Sequence, residues 1–267
     1  MIDQGKHNVL GVKIDAVDYE GAIQRVMDAA DAGEPLAVSA LAVHGLMTGV
    51  LDPTHRYRLN QFGLLCPDGQ PVRWALGWLH GKKLPDRVYG PNLMLKLCGR
   101  AAELGTPIFL FGGSEALLAD LSSRLTEEFP SLQIAGTRAS KFRTISAEEK
   151  AELVEEIRSS GAKMTFVGLG CPRQEVFAYE MREALSMPLL AVGAAFNFHA
   201  KQLAQAPKWL QDRGLEWAYR LAKEPTRLWR RYLLLNPLYL TLLGMQAAGV
   251  YTRSTVGEEP QAEVCYG

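Results

Sequence analysis

Short apolar runs alternate with stretches of helical period along most of the chain. VLGVKI (9–14) and PLAVSAL (35–41) read as strands on either side of a helix from about Tyr19 to Asp31, whose Ile23, Val26, Met27 and Ala30 share one face. FGLLC (62–66) is a further short strand, closed by a Pro-Asp-Gly turn. The pattern then predicts a helix over Pro91–Leu104, a buried strand at PIFLF (107–111) ending in Gly112-Gly113, and a helix over Glu115–Glu128. LQIAG (132–136) is a strand, Ala147–Ser159 a helix, MTFVG (164–168) a strand, Gln174–Leu185 a helix and PLLAVG (188–193) a strand. Continuous apolar strands alternating with helices imply an α/β protein whose parallel sheet is covered on both faces. No internal repeat or low-complexity block interrupts the alternation.

The pattern changes after about residue 200. The segment GLEWAYRLAKEPTRLWRRYLLLNPLYL places Arg227, Arg230 and Arg231 on one helical face, beside Leu228, Trp229, Leu233 and Leu234. Arg220 falls near that face only if the axis continues past Pro225, which is a natural point for it to break. The organisation expected is a core over 1–200, a helical arginine-rich section over 201–253, and a polar, disordered tail over 254–267. Tyr232–Val250 is the longest apolar stretch, but Asn236, Pro237, Thr241 and Gln246 interrupt it. An amphipathic segment partly embedded in a membrane surface suits it better than a span.

Composition sharpens this picture in two places. Formal net charge over the 267 residues is +0, so the whole molecule gives no sign of a nucleic-acid partner. Residues 201–231, however, carry Lys201, Lys208, Arg213, Arg220, Lys223, Arg227, Arg230 and Arg231 against Asp212, Glu216 and Glu224. Guanidinium groups beside apolar surface suit a partner bearing both phosphate and lipid, or else form a solvated basic face. Cys66, Cys98 and Cys171 stand in or beside apolar runs and read as buried thiols of a reducing compartment, with Cys265 near the end of the chain. The N-terminus lacks the architecture of a secretion signal, which favours the cytoplasm.

In an open parallel sheet, ligands bind beyond the carboxyl ends of the strands. That rule selects Ser39–His44, the Pro67-Asp68-Gly69-Gln70 turn, Gly112-Gly113-Ser114, Gly168–Glu175 and Gly193–His199. The turn Gly168-Leu-Gly170-Cys-Pro-Arg-Gln174-Glu175 lets a ligand approach the backbone and opens a helix whose first N–H groups favour phosphate. A dinucleotide fingerprint needs glycine where Arg173 stands, which argues against a nicotinamide-dependent oxidoreductase. Gln174 offers an amide to a sugar hydroxyl or a base edge. Asp68 is either a proton acceptor for an attacking hydroxyl or simply a turn aspartate satisfying nearby N–H groups. His7, His44, His55, His80 and His199 show no metal-ligand spacing, no Asp-x-Asp pair exists to hold a divalent ion, and no GxSxG elbow occurs. No metal or other cofactor is therefore expected.

Taken in order, PDGQPVRWA, LPDRVYGPNLM, IFLFGGSE, FVGLGCPRQE, VGAAFNF and QAPKWLQDRGLEWAYRLAKEPTRLWRRY resemble the WecB/TagA/CpsF family of bacterial glycosyltransferases over about residues 35–232. The resemblance implies a Rossmann-like, metal-independent, inverting enzyme. Its donor is a UDP-sugar of the N-acetylmannosamine type, and its acceptor a saccharide on a polyprenyl diphosphate at the inner face of the cytoplasmic membrane. It also implies that Asp68 is the catalytic base, that Gln174 lies in the active site, and that Arg220, Arg227 and Arg230 close over the diphosphate. Ser39, Gly112, Gly113, Gly168, Gly170 and Glu175 complete the expected substrate site. A homo-oligomer is compatible with the same resemblance. Three departures concern the family's Thr-x-Asn, Arg-Ala-Pro and Phe-Asp, which here are Ser39-Ala40-Leu41, Gln205-Ala206-Pro207 and Phe196-Asn197. Leu41 cannot hydrogen-bond a sugar, so a noncatalytic subunit binding nucleotide-sugar or lipid precursors stands as the alternative.

Overall fold

The apolar run at 9–14 conceals a turn. Leu10 and Gly11 take positive φ of 54° and 91°, as a two-residue hairpin turn requires. β1 (Asp3–Val9) and β2 (Val12–Val17) pair antiparallel, in a sheet of their own. The single strand expected at 9–14 is corrected accordingly. Val9, Leu10, Val12 and Ile14, on and around the turn, are all buried, so burial masks the turn in the hydrophobic pattern. The computed structural model describes residues 1–267, apart from the side chains of Arg227 and Arg231.

Among the described residues, six strands form the main sheet in the order β4-β3-β8-β7-β5-β6. They are β3 (Leu36–Leu41), β4 (Leu64–Pro67), β5 (Ile108–Phe111), β6 (Ile134–Arg138), β7 (Met164–Val167) and β8 (Pro188–Ala191). Every pairing is parallel. Successive side chains divide between the two faces, as strand geometry demands. Leu65, Phe109, Phe111, Val167 and Leu189 pack into one buried cluster, and Leu64, Cys66, Ile108, Leu110, Phe166 and Leu190 into another. The fold is thus the expected α/β one, with a Rossmann-like parallel sheet flanked by helices and a helical C-terminal section.

Ten helices occupy the stretches between and beyond these strands up to residue 212: α1 (Tyr19–Ala32), α2 (Val43–Leu51), α3 (Pro53–Asn60), α4 (Gln70–His80), α5 (Gly90–Leu104), α6 (Glu115–Glu128), α7 (Ala147–Ser159), α8 (Arg173–Leu185), α9 (Ala195–His199) and α10 (Lys208–Asp212). Capping chemistry sets the sharpest boundaries. Asp18 accepts the Gly21 N–H at the start of α1, and Ser114 accepts the Leu117 N–H at the start of α6. Ser146 and Glu149 form a reciprocal capping box on α7. The apolar sides of α1, α5 and α6 cover one face of the sheet, and those of α2, α4, α7 and α8 cover the other.

The chain breaks axis at Glu224 (φ −134°), separating α11 (Glu216–Lys223) from α12 (Pro225–Ala247). Pro225 sits in the first turn of α12, where its missing N–H costs nothing. Helix α12 continues through Pro237. Leu228, Tyr232, Tyr239 and Leu243 are buried along one side of it, and the Tyr239 hydroxyl donates to the Pro71 carbonyl at 2.9 Å. Gln246 accepts the Leu10 N–H at 2.9 Å and donates to the Asn8 carbonyl at 3.1 Å, tying the helix to the hairpin. Trp229, Leu233 and Leu240 form an exposed apolar stripe on another side. No helix among the described residues is long and apolar enough to cross a membrane.

Residues 254–267, expected to be disordered, instead lie along the core. Asn60 donates to the Thr255 carbonyl at 2.7 Å, Glu258 N–H to the Pro53 carbonyl at 3.1 Å, and Ile145 N–H to the Cys265 carbonyl at 3.0 Å. Lys150 pairs with Glu263, and Tyr266 lies against the Arg173 guanidinium. Composition alone hides this, because the tail is held by backbone hydrogen bonds and by groups already placed on the core.

Candidate functional site

The parallel strands bring the loops after β3, β4, β5, β7 and β8 to one edge, where short contacts stitch them together. Asp68 N–H reaches the Leu41 carbonyl (3.3 Å), Gly168 N–H the Phe111 carbonyl (2.8 Å), and Val192 N–H the Val167 carbonyl (3.2 Å). A Cβ on Gly112 would stand 2.7 Å from the Gly168 carbonyl carbon, and one on Gly168 2.5 Å from the Phe196 ring. Those two glycines are therefore required by loop-on-loop packing. Gly170 (φ 78°) has nothing within 4 Å and is the open glycine of its turn. Gly113 (φ 72°) leads into the Ser114 cap of α6.

The Gly168–Glu175 turn is largely self-satisfied. Gln174 accepts the Gly170 N–H through Oε1 at 3.1 Å and donates through Nε2 to Glu175 Oε1 at 2.9 Å. Its own N–H goes to the Gly170 carbonyl at 3.0 Å. Ser39 donates its hydroxyl to the same Glu175 oxygen at 3.0 Å, joining β3 to α8. Ser39, Gln174 and Glu175 are all buried. The amide expected to face a ligand freely has one N–H left to offer, and the backbone N–H groups of Gly168, Gly170 and Gln174 are already taken. Burial pushes the Glu175 carboxyl above its ordinary value, although the Gln174 and Ser39 hydrogen bonds pull it down. Glu175→Leu strands the Ser39 and Gln174 donors, at about 1–3 kcal/mol for each buried donor left unpaired. Urea unfolding is expected to show that loss; stability unchanged within 0.5 kcal/mol, the usual range of surface substitutions, would contradict the network's role.

Asp68 stands just beyond β4, half-buried. No side chain caps the following helix α4. Asp68 Oδ1 is cut off from solvent and has no hydrogen-bond partner. A turn aspartate satisfies local N–H groups, and this oxygen satisfies none. Burial pushes the carboxyl up to about 7; Arg87 pulls it down, Glu216 pushes it up, and the Gly90 N–H and Arg220 pull it down. A carboxylate at that position titrates where a general base works best near neutral pH.

Around Asp68 lie groups that no local sequence pattern singled out. Arg87, buried in the loop before α5, donates through Nη2 to Glu216 Oε2 at 2.7 Å and to Gln211 Oε1 at 3.0 Å. The Tyr89 hydroxyl donates to Glu216 Oε1 at 3.1 Å, and the Arg87 guanidinium lies 4.2 Å from the Tyr89 ring centroid. Burial alone would lower Arg87, but Asp68 and Glu216 outweigh it and hold the guanidinium above its ordinary value. The signal was present in LPDRVYGPNLM and GLEWAYR, which carry these side chains. Their pairing across 129 positions was not readable from either motif.

The arginines do not all gather at this point. Arg220 lies 5.8 Å over the Phe198 ring, its charge is felt at Asp68, and its Nε is buried with no partner among the described residues. Arg230 is exposed and sits 5.3 Å from its neighbour Trp229's ring centroid. The Arg227 side chain, expected over the diphosphate, lies outside the described residues. His199 contacts the Pro91 carbonyl at 2.9 Å. Among the described residues, no group of three or more His, Cys, Asp or Glu side chains is placed to hold a metal ion.

The parallel sheet carries a carboxyl pushed toward neutral pH at its carboxyl edge, where open α/β sheets bind their ligands. The chain belongs to the WecG/TagA/CpsF glycosyl transferase family, whose model matches residues 7–253. Its role is accordingly that of a glycosyltransferase.

Proposed function

We propose that the protein is an inverting glycosyltransferase. It moves a sugar of the N-acetylmannosamine type, or a related hexose, from a UDP-sugar to a saccharide on a polyprenyl diphosphate, in cell-envelope or exopolysaccharide assembly. The observation that carries this reading is the near-neutral Asp68 carboxyl, whose buried Oδ1 has no partner, beside Glu216 and Arg220 of α11. In the step envisaged, the acceptor hydroxyl attacks the anomeric carbon from the side opposite UDP. The bond between that carbon and the diphosphate oxygen breaks, and the hydroxyl proton passes to Asp68. Arg220 meets the charge growing on the leaving diphosphate, so the reading calls on no metal. Because the turn glycines' N–H groups are partly committed, the arginine carries more of this task than the backbone.

Leu41 does not weigh against chemistry here. Its side chain is buried and packs toward α2 at Gly45, while its carbonyl holds the Asp68 N–H. The exposed stripe of Trp229, Leu233 and Leu240 beside the basic residues supports peripheral attachment to the inner membrane face. The test is a panel of UDP-sugars with purified protein and a synthetic polyprenyl-diphosphate saccharide. UDP release that requires the acceptor is expected for at least one N-acetylhexosamine donor. Tight UDP binding with no release from any donor would instead support a noncatalytic binding subunit.

A further inference from the structure

We propose that Glu216 is a positioning residue: it latches the α10–α11 section over Asp68 and holds Arg87 away from that carboxylate. This rests on Asp68 being the working base. The geometry is that of a clasp. Both Glu216 oxygens are committed to the body of the protein, Oε2 to Arg87 at 2.7 Å and Oε1 to the Tyr89 hydroxyl at 3.1 Å. Gln211, from α10, adds a second grip on the same Arg87 nitrogen at 3.0 Å and anchors itself to the Ala206 carbonyl at 2.7 Å. Between the two helices, Gly214 (φ 70°) lies so close that a Cβ there would stand 3.1 Å from the Trp74 ring. Everything else in α10 and α11 is at least partly open to solvent, and neither helix buries a residue fully. With no buried residue of its own, and Trp217 against the Tyr232 ring as its apolar contact, the section leans on its polar contacts, of which a charge-assisted pair shielded from water is the strongest.

The clasp also sets which carboxylate Arg87 serves. Arg87 feels both Asp68 and Glu216, but its hydrogen bonds go to Glu216 and Gln211, leaving Asp68 Oδ1 bare. With Glu216 withdrawn, the same guanidinium has one carboxylate left to neutralise. A base paired with arginine is a weaker base, so an open clasp is an inactive state and a closed one an active state. The groups facing Asp68 are Tyr19 from α1, Cys66 from β4, Arg87 and Tyr89 from the loop before α5, and Glu216 and Arg220 from α11. Tyr19, Tyr89 and Cys66 are all pushed upward by burial and stay neutral across the working range. Only the two arginines and Glu216 are therefore left to move the Asp68 midpoint.

The experiment compares Glu216→Gln and Arg87→Gln in the full chain. The native Asp68 midpoint is read without turnover, from the pH dependence of the melting-temperature difference between each protein and its Asp68→Asn counterpart. Glu216→Gln is expected to move that midpoint down by about one pH unit, since a neighbouring carboxylate is gone. Arg87→Gln is expected to move it up by about the same amount. Both variants are expected to speed tryptic cleavage within 201–223. Opposite shifts alone follow from the charges; the clasp requires them together with faster cleavage in both variants, and unchanged cleavage overturns it. Should Glu216→Gln not fold, Arg87→Gln alone decides. An unmoved midpoint, or a shift of the same sign in both, overturns the clasp. The base reading fails separately, if the midpoint shifts as described while the pH dependence of turnover does not follow it.

Discussion

Asp68→Asn is expected to abolish most turnover and, at the same time, to make the protein more stable. The two effects share one cause. A carboxyl whose native midpoint is about 7, against about 3.9 in an unfolded chain, keeps its proton in the folded state across a window where the unfolded state has lost it. Stability therefore falls as pH rises from about 4 to about 7, the reverse of the usual acidic residue. The shift of roughly three units corresponds to at most about 4 kcal/mol, and solvent reaching the half-buried group lowers that ceiling. Asparagine escapes the penalty. Its melting temperature is expected to exceed that of the parent by several degrees at pH 8, with the gap closing near pH 4. Turnover is expected to fall by about 10²- to 10⁴-fold, the usual contribution of a general base, with UDP binding kept. Calorimetry at both pH values checks the first half and acceptor-dependent UDP release the second. A variant less stable than the parent at pH 8 would show that the buried oxygen is satisfied by a group not visible in the folded chain.

Arg220→Ala is the second large effect. The guanidinium stands over Phe198 with a buried Nε that has no partner among the described residues, as expected of a donor waiting for a ligand oxygen. By analogy with other charged-donor deletions, its loss costs about 2.7–4 kcal/mol of barrier, or roughly 10²- to 10³-fold in kcat. The folded state loses less, because one partly buried cation–ring contact on Phe198 contributes about 0.5–2 kcal/mol. Arg220→Lys keeps the charge but not the planar fork, and is expected to fall between the two. Thermal melts alongside saturating kinetics separate the effects. Unchanged kcat in Arg220→Ala removes that residue from the reaction.

Much of the sheet was legible because its strands are short apolar runs and its helices announce their ends. The expected Glu115–Glu128 and Ala147–Ser159 match α6 and α7 residue for residue, since Ser114 and Ser146 cap them. The hairpin was missed because Leu10, a non-glycine residue at positive φ, hides the turn inside a buried run. Helices α2, α3 and α4 went unassigned: α3 in particular carries Pro53-Thr-His-Arg-Tyr-Arg, with little apolar period to reveal it. At the site, Asp68 is a candidate in the sequence, but the missing partner of its Oδ1 is a matter of packing that no motif contains. The commitment of Ser39 to Glu175, and of Arg87 to Glu216, spans more than a hundred residues and lies in no single window of sequence. Helix α12 includes the arginine positions, yet periodicity gives a direction on a helix and not a distance to a pocket. Arg230 illustrates the difference, lying exposed beside Trp229.

Everything proposed for this chain turns on one proton leaving the acceptor for the carboxylate after β4. The most direct measurement is the pH dependence of kcat/KM for acceptor-dependent UDP release, from pH 5 to 9, in the native protein. The expected profile rises about tenfold per pH unit on the acid side and levels off near pH 7. A rate independent of pH between 5 and 8, with the chemical step shown to be rate-limiting, would contradict it.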